Sequence, residues 1–210
     1  MKPLFVSLLL CLSLGTAVFG NTSNAHKKIA LTFDDGPHPT YTKQILAILK
    51  EHQIKATFYM VGKQVNRFPE IAQLVQRNGH EIGNHSYHHI DYSKIKLNQI
   101  LTDIYDSQMI FYEVLNIFPE TFRPPYGRIK TKHKHYIKRF FDKIVLWDID
   151  TRDWDVHTTP NQIINDVTNK LSKNSIILMH DTNRNVLNSL PKLIRMAKKQ
   201  GYKFVRVSDL

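Results

Sequence analysis

Leu31-Thr32-Phe33-Asp34-Asp35-Gly36-Pro37 joins an apolar segment to two adjacent carboxylates. The apolar run over residues 29–33 predicts a buried strand, and the Gly-Pro pair that follows ends the strand by forcing a turn. Two neighbouring anions repel each other, which raises the pKa of one of them unless a cation lies beside them. Enzymes with parallel sheets carry their chemistry at the carboxyl ends of core strands. We therefore expect a functional site here rather than a solubilising turn.

The chain is strongly basic. Its 210 residues suffice for one domain with a sizeable core, and its formal net charge is +11 at pH 7. Such a charge favours anionic partners such as nucleic acid, acidic lipid headgroups or anionic polymers of the cell envelope. The sequence contains no nucleic-acid-binding motif, so we expect no nucleic-acid partner and favour the envelope.

Residues 1–20 have the pattern of a secretory signal peptide. Lys2 is followed by a short apolar run that ends in Val18-Phe19-Gly20. The run is short for a membrane span, which takes about 20 apolar residues, although an uncleaved N-terminal anchor is the alternative. Cys11, the only cysteine, lies in this segment, so the mature chain would contain no disulfide. We expect an exported protein, periplasmic or secreted, with no stable membrane span after cleavage.

After this segment, strand and helix patterns alternate along the chain. The predicted strands cover residues 28–33, 56–61, 80–84, 121–123, 144–149, 175–179 and 203–207. The predicted helices cover residues 42–52, 69–76, 97–115, 132–141, 162–171 and 187–199. Alternation of this kind implies parallel strands with crossover helices. It predicts an α/β barrel with one strand fewer than the eight-stranded form, and a doubly wound open sheet is the alternative.

A histidine cluster, His85-Ser86-Tyr87-His88-His89, follows the third predicted strand. Two histidines four residues apart lie on one face of a helical turn and can bind one metal ion. With Asp35, the pair His85 and His89 would form a set of two histidines and one carboxylate that leaves positions open, as in catalytic metal sites. Zinc suits these ligands, and cobalt or nickel could replace it. By spacing alone, His88 fits as well as His89.

Three more strand ends carry polar groups. The stretch 123–127, Arg-Pro-Pro-Tyr-Gly, offers an arginine that could hold a carboxylate and a fixed backbone that could present an amide to an oxyanion. The stretch 150–154, Asp-Thr-Arg-Asp-Trp, offers carboxylates that could orient a histidine and an aromatic face for a sugar ring. His180, at the end of the sixth predicted strand, is a candidate general acid. Each of these groups could instead be purely structural, as a rigid loop, a capped loop or a core histidine.

In this order, the five groups resemble the motifs of the polysaccharide deacetylase family, carbohydrate esterase family 4. The family patterns TFDDGP, H-[S/T]-x-x-H, R-x-P-Y, D-x-x-D-W and L-x-H occur here as TFDDGP, HSYHH, RPPY, DTRDW and LMH, over residues 32–180. The resemblance implies a distorted (β/α)7 barrel, in agreement with the strand count. It also implies that residues 21–210 form one catalytic domain.

The resemblance further implies roles for the matching residues. Asp34 resembles the general base, and Arg123 resembles the residue that orients its carboxylate. The implied metal ligands are Asp35, His85 and His89. By the family pattern, His89 rather than His88 is the second histidine ligand.

His180 resembles the acid that protonates the leaving amine. Asp153 is the expected partner that tunes His180, whereas Asp150 has a less certain role in the loop or beside the arginine. The backbone amide of Tyr126 would help to stabilise the oxyanion. The expected walls of the acetate pocket are Trp154 and Leu178.

We expect a metal-dependent hydrolase that removes N-acetyl groups from amino sugars of a glycan. The family's range of substrates includes peptidoglycan, poly-N-acetylglucosamine, chitin-like oligomers, lipid-linked amino sugars and O-acetylated xylan. The basic composition favours an anionic envelope polymer or a lipid-linked phosphate sugar. One alternative is a glycan-binding module of the same fold without activity. Another is a hydrolase of a non-sugar amide or imide, which would have a closed pocket and no groove beside Trp154.

Overall fold

The computed structural model describes residues 27–210. The predicted signal peptide, residues 1–20, lies outside the described residues. The strands are β1 (Lys27–Asp34), β2 (Thr57–Met60), β3 (Glu81–Asn84), β4 (Thr121–Phe122), β5 (Lys143–Ile144), β6 (Ile149–Asp150), β7 (Ile176–His180) and β8 (Tyr202–Phe204). The α-helices are α1 (Tyr41–Glu51), α2 (Gly62–Arg67), α3 (Pro69–Arg77), α4 (Leu97–Leu115), α5 (Thr131–Ile137), α6 (Pro160–Thr168) and α7 (Arg184–Lys199). Single 3-10 turns cover Pro125–Gly127 and Val207–Asp209.

Every recorded strand pair is parallel, and the strands follow the chain around the sheet. The order is β5-β4-β3-β2-β1-β7-β6, with β8 paired to the first residues of β1. This is the cyclic order of a barrel interrupted between β5 and β6, where no pairing is recorded for the described residues. The predicted distorted seven-stranded barrel is confirmed, and the doubly wound alternative is wrong.

Strand β1 forms the centre of the sheet. Its residues 29–34 are all buried, because β2 and β7 flank it and helices cover the sheet. The register pairs Asp34 with Tyr59 of β2 and with His180 of β7. The carboxyl end of β1 therefore lies beside the ends of its neighbours, which brings together the polar groups that follow them in sequence.

Two elements differ from those predicted. The single strand expected over residues 144–149 is two short strands, β5 and β6. Between them, the carbonyl oxygens of Val145 and Leu146 accept hydrogen bonds from the Arg123 guanidinium, at 3.4 and 3.1 Å. The carbonyl groups of Val145 and Leu146 therefore accept from the buried Arg123 guanidinium instead of continuing the strand. The short helix α2 was not predicted, since its six residues show too little periodicity.

Other boundaries shift by a few residues. Helix α4 has the predicted bounds, whereas α5 ends at Ile137 rather than at residue 141. The last strand ends at Phe204 instead of 207. Within residues 27–210, none of the helices combines the length and the apolar character that crossing a membrane requires.

Candidate active site

Asp34, the last residue of β1, is ion-paired with Arg123. The Arg123 side chain is fully buried, and it donates from one guanidinium nitrogen to Asp34 Oδ1 and to Thr32 Oγ1, both at 2.7 Å. The guanidinium also lies over the Tyr59 ring, 4.1 Å from its centroid. These contacts fix Asp34 Oδ1. The other oxygen, Oδ2, lies 3.7 Å from His85 Nε2 and faces the neighbouring histidines.

Asp35 points elsewhere although it is the next residue. Its φ is +74°, in the left-handed region that asparagine and aspartate tolerate better than most residues. The turn directs Asp35 Oδ1 towards two imidazole nitrogens, 3.5 Å from His85 Nε2 and 3.2 Å from His89 Nε2. Burial favours the neutral acid, but the contacts with His85 and His89 outweigh it and hold the pKa of Asp35 well below its ordinary value.

Asp35, His85 and His89 fit a divalent metal ion. One potential ligand atom from each lies within 4.8 Å of the others. Asp35 Oδ1 is buried and has no hydrogen-bond partner among the described residues, which is costly for an anionic oxygen unless a cation compensates it. His85 Nδ1 lies 2.7 Å from the backbone carbonyl of Arg123, which can only accept, so the Nδ1 proton is committed there. The Nε2 lone pair of His85 is thereby free to bind a metal.

The loop that carries the two histidines is held by helix α4. Asp103 of α4 accepts from the backbone N–H groups of Tyr87 and His88, at 3.0 and 3.2 Å, and from the Tyr92 hydroxyl at 2.7 Å. It also lies 2.6 Å from His88 Nδ1. His88 therefore faces Asp103, and the structure brings His89 rather than His88 to Asp35.

His180, at the end of β7, faces a second buried carboxylate. Asp153 is fully buried and contacts both the His180 backbone N–H, at 3.0 Å, and His180 Nδ1, at 2.9 Å. Thr151 Oγ1 donates to the same carboxylate at 2.9 Å. Burial lowers the pKa of His180, but the hydrogen bond and charge of Asp153, with Asp34 and Asp35, outweigh it and raise the pKa to about 9. The imidazole is accordingly protonated at neutral pH.

Another buried carboxylate, Asp181, lies behind the turn that follows β1. Its Oδ2 accepts from Thr42 Oγ1 at 2.5 Å, and burial, supported by the charges of Asp35 and Asp34, raises its pKa to about 7. A Cβ atom on Gly36 would lie 2.2 Å from Asp181 Oδ2. Position 36 must therefore be glycine for the carboxylate to fit beneath the turn. Sequence analysis did not identify Asp181 as part of the site.

The groups from β1, β3 and β7 open into one cleft of about 550 Å³. Tyr126 and Trp154 stand at its surface, 57% and 60% exposed, whereas Leu178 is buried at its base. Asp150 also lines the cleft, and its Oδ1 accepts from the backbone N–H of Arg152 at 2.8 Å.

Two further residues of the cleft, Arg128 and Trp147, were missed by sequence analysis. Arg128 lies just beyond the RPPY motif, and no pattern in the sequence marks it. Trp147 was read as part of a strand. Its ring reaches the Arg123 guanidinium, 5.6 Å away.

Several known proteins are similar to this chain in sequence and in structure. The family model for polysaccharide deacetylases matches residues 21–140. A peptidoglycan-N-acetylglucosamine deacetylase of Bacillus cereus is 38% identical over 192 residues, which cover 89% of each chain. The peptidoglycan-N-acetylmuramic acid deacetylase PdaC of Bacillus subtilis is 36% identical over 184 residues. Those residues cover 88% of this chain but only 38% of PdaC, so the chain spans about two fifths of that relative's length.

The solved structure of the Bacillus subtilis peptidoglycan deacetylase PdaC superposes with a TM-score of 0.82 at 35% identity. The match covers 88% of this chain and 90% of that one. The family motifs, the barrel and these similarities agree, and the resemblance identified from the motifs is confirmed. This chain belongs to the polysaccharide deacetylase family and is a hydrolase of the polysaccharide N-deacetylase type.

Proposed function

We propose that this protein removes N-acetyl groups from N-acetylglucosamine-type residues of a glycan outside the cytoplasm, with a divalent metal ion. One observation carries the proposal: an arginine-paired carboxylate, a group of three potential metal ligands and a carboxylate-paired histidine face a single cleft. A base, a metal site and an acid are the parts that hydrolysis of an amide needs. A module that only binds glycans would need none of them.

Asp35, His85 and His89 would hold the metal, and zinc is the first candidate because it prefers nitrogen and carboxylate ligands. When bound, such an ion polarises the acetyl carbonyl and lowers the pKa of water from 15.7 to about 7. Cobalt or nickel would satisfy the same ligands.

In the proposed reaction, Asp34 accepts a proton from the attacking water. Its Oδ1 is bonded to Arg123, so Oδ2 is the oxygen that remains to act as base. The pair also fixes the direction of Oδ2, since the guanidinium is held in turn by Thr32 and two backbone carbonyls. Arg123 is thus a positioning residue for the base.

In the proposed reaction, His180 donates a proton to the leaving amine. Asp153 occupies Nδ1, which leaves the Nε2 proton as the one that can be transferred. The raised pKa keeps that proton in place at neutral pH, and an amine leaves poorly unless it is protonated. The Tyr126 backbone amide is our candidate for an oxyanion donor, and Trp154 and Leu178 are our candidates for the acetyl-binding walls.

The open cleft supports a polymer as substrate. The rings of Tyr126 and Trp154 line the cleft and are more than half exposed, which favours a polymer over a small non-sugar amide enclosed in a pocket. Peptidoglycan is the first candidate because relatives are named for it, and a cell-envelope substrate fits an exported protein. Poly-N-acetylglucosamine, chitin-like oligomers and lipid-linked amino sugars follow.

The test is acetate release from peptidoglycan fragments, poly-N-acetylglucosamine and chitin oligomers, with zinc and with a chelator. We expect release that requires metal, and we expect Asp34→Asn to lower kcat by about 10²–10⁴-fold, the usual contribution of a general base. The matched control is Asp106→Asn, an exposed carboxylate of α4 outside the cleft, which should leave kcat unchanged. Metal-bound protein that releases no acetate from any polymer would contradict the proposal.

A further inference from the structure

A basic segment follows the RPPY motif, and the proposed reaction uses none of its lysines. Residues 128–143 contain many cations and a single acid, Asp142. The cations are Arg128, Lys130, Lys132, Lys134, Lys138, Arg139 and Lys143. Part of this segment forms helix α5, which packs beside the loop that precedes α4.

A second cleft, of about 530 Å³, separates α5 from that loop. We call it the lysine cleft, because four lysines line it: Lys94, Lys96, Lys130 and Lys132. His133 and Tyr136 complete its polar surface, and no acidic side chain among the described residues lines it. Four like charges around one concave surface repel each other and concentrate positive potential there.

His133 adds a polar group that lacks a partner. It is only 6% exposed, and its Nδ1 has no hydrogen-bond partner among the described residues. Burial lowers the pKa of His133, and the charges of Lys132 and Lys130 lower it further. An anion in the cleft would offset the mutual repulsion of the lysines and supply the kind of partner that buried polar groups normally have.

The lysine cleft adjoins the catalytic cleft. Asp91 Oδ2 lies 3.2 Å from an Arg128 guanidinium nitrogen and 3.9 Å from Lys94 Nζ. Arg128 lines the catalytic cleft and Lys94 lines the lysine cleft, so one carboxylate connects the two walls. The two clefts thus lie on either side of Asp91, close enough for one glycan chain to contact both.

We propose that the lysine cleft is a subsite for carboxylate groups carried by the glycan substrate, beside the sugar that is deacetylated. This inference rests on the proposed function, because it assigns the ligand to the same polymer. Its support is the proximity of the two clefts, whose walls Asp91 links, the four lysines and the absence of lining acids among the described residues. The subsite would make the enzyme prefer an acidic glycan, such as one that bears peptides with free carboxylates, over a neutral one.

The test is direct binding, measured by calorimetry on Asp34→Asn protein in chelator, so that turnover plays no part. The probes are a peptidoglycan fragment with free carboxylates, the same fragment after conversion of its carboxylates to methylamides, and chitohexaose. Lys130→Gln/Lys132→Gln is compared with Lys173→Gln/Lys199→Gln, which removes two exposed lysines that line neither cleft.

We expect the Lys130/Lys132 variant to bind the acidic fragment about tenfold more weakly, as removal of two partly exposed ion pairs predicts. Binding of the amidated fragment and of chitohexaose should not change, and the difference should shrink as salt rises. The Lys173/Lys199 control should bind all three probes as the parent does.

Two results would overturn the inference. One is an equal loss for all three probes, or no loss for any. The other is tighter lysine-dependent binding of a sugar-free glycerol-phosphate polymer than of the acidic fragment, which would assign the cleft to phosphate. If wild-type protein releases no acetate from any glycan while lysine-dependent binding persists, the proposed function fails and the subsite stands.

Discussion

The two sides of the catalytic cleft hold histidines in opposite ways. On the side of β1 and β3, His85 Nδ1 meets a backbone carbonyl, and the Nε2 atoms of His85 and His89 face a carboxylate oxygen without a hydrogen-bond partner among the described residues. On the side of β7, His180 Nδ1 meets the buried carboxylate of Asp153. A backbone carbonyl accepts the Nδ1 proton of an imidazole and leaves Nε2 able to bind a metal, whereas a buried carboxylate favours the imidazolium. The group that meets Nδ1 thus distinguishes His85, a proposed metal ligand, from His180, the proposed acid.

The largest expected effect tests whether His89 or His88 joins His85 on the side of β1 and β3. His89→Gln should weaken zinc binding at least 100-fold, because it removes a proposed ligand and even supporting residues cost 10–100-fold. His88→Gln is the matched control, since His88 faces Asp103 and should change zinc affinity much less. Competition with a chromogenic chelator measures both affinities without turnover. Equal losses for the two variants would contradict the assignment of His89.

An intermediate effect is expected for Asp103, which holds the loop that carries His85 and His89. Asp103→Asn removes the charge that holds the loop through Tyr87, His88 and Tyr92, so we expect zinc affinity to fall about 10–100-fold. Because Asp103 is buried, the free energy of unfolding should also fall, by about 1–3 kcal/mol. Asp106→Asn, on the exposed face of the same helix, is the control for both measurements. Unchanged zinc affinity in Asp103→Asn would show that the loop does not depend on α4.

The smallest effect concerns the second side and depends on pH. The His180 pKa is raised, so the acid is protonated below about pH 9 and is lost as the pH rises through that value. Asp153→Asn should lower this pKa towards the ordinary value of 6.5 and move the alkaline limb of kcat/KM to lower pH. The loss should be about tenfold at pH 8 and smaller at pH 6.

Asp150→Asn is the matched control for this profile, because Asp150 ends β6 just before the loop that carries Asp153 and accepts from the Arg152 backbone N–H. It should leave the alkaline limb in place. A limb that moves with Asp150 rather than with Asp153 would reverse the roles assigned to the two carboxylates.

The sequence was most informative where titratable residues lie at the carboxyl ends of strands. Asp34, Asp35 and His180 follow apolar runs that are recognisable without tertiary contacts, and the alternation of strands and helices placed these ends on one rim. The roles of those residues remain predictions, but the structure brings them together. Local patterns could not show that Val145 and Leu146 leave the sheet, because their carbonyls serve Arg123, which lies about 20 residues earlier in sequence.

Supporting residues were missed for the same reason. Asp103 is one polar residue within an amphipathic helix, and only the fold shows that it reaches the histidine loop. Arg128 and Trp147 reach the cleft because the loops that carry them turn towards it, and hydrophobic periodicity does not predict the course of a loop. Asp181 follows His180 directly, but its structural role is the close approach to Gly36, which is far away in sequence.

The contact between Gly36 and Asp181 links the beginning of the described chain to its late part. The turn that carries Asp35 is completed from beneath by a residue that follows β7, and β7 also pairs along β1. During synthesis, the proposed base and metal ligands therefore emerge long before β7, the strand that completes this part of the site. A chain that stops short of β7 would therefore carry the proposed ligands and base but lack both His180 and the strand that pairs with β1, so we expect it to be inactive.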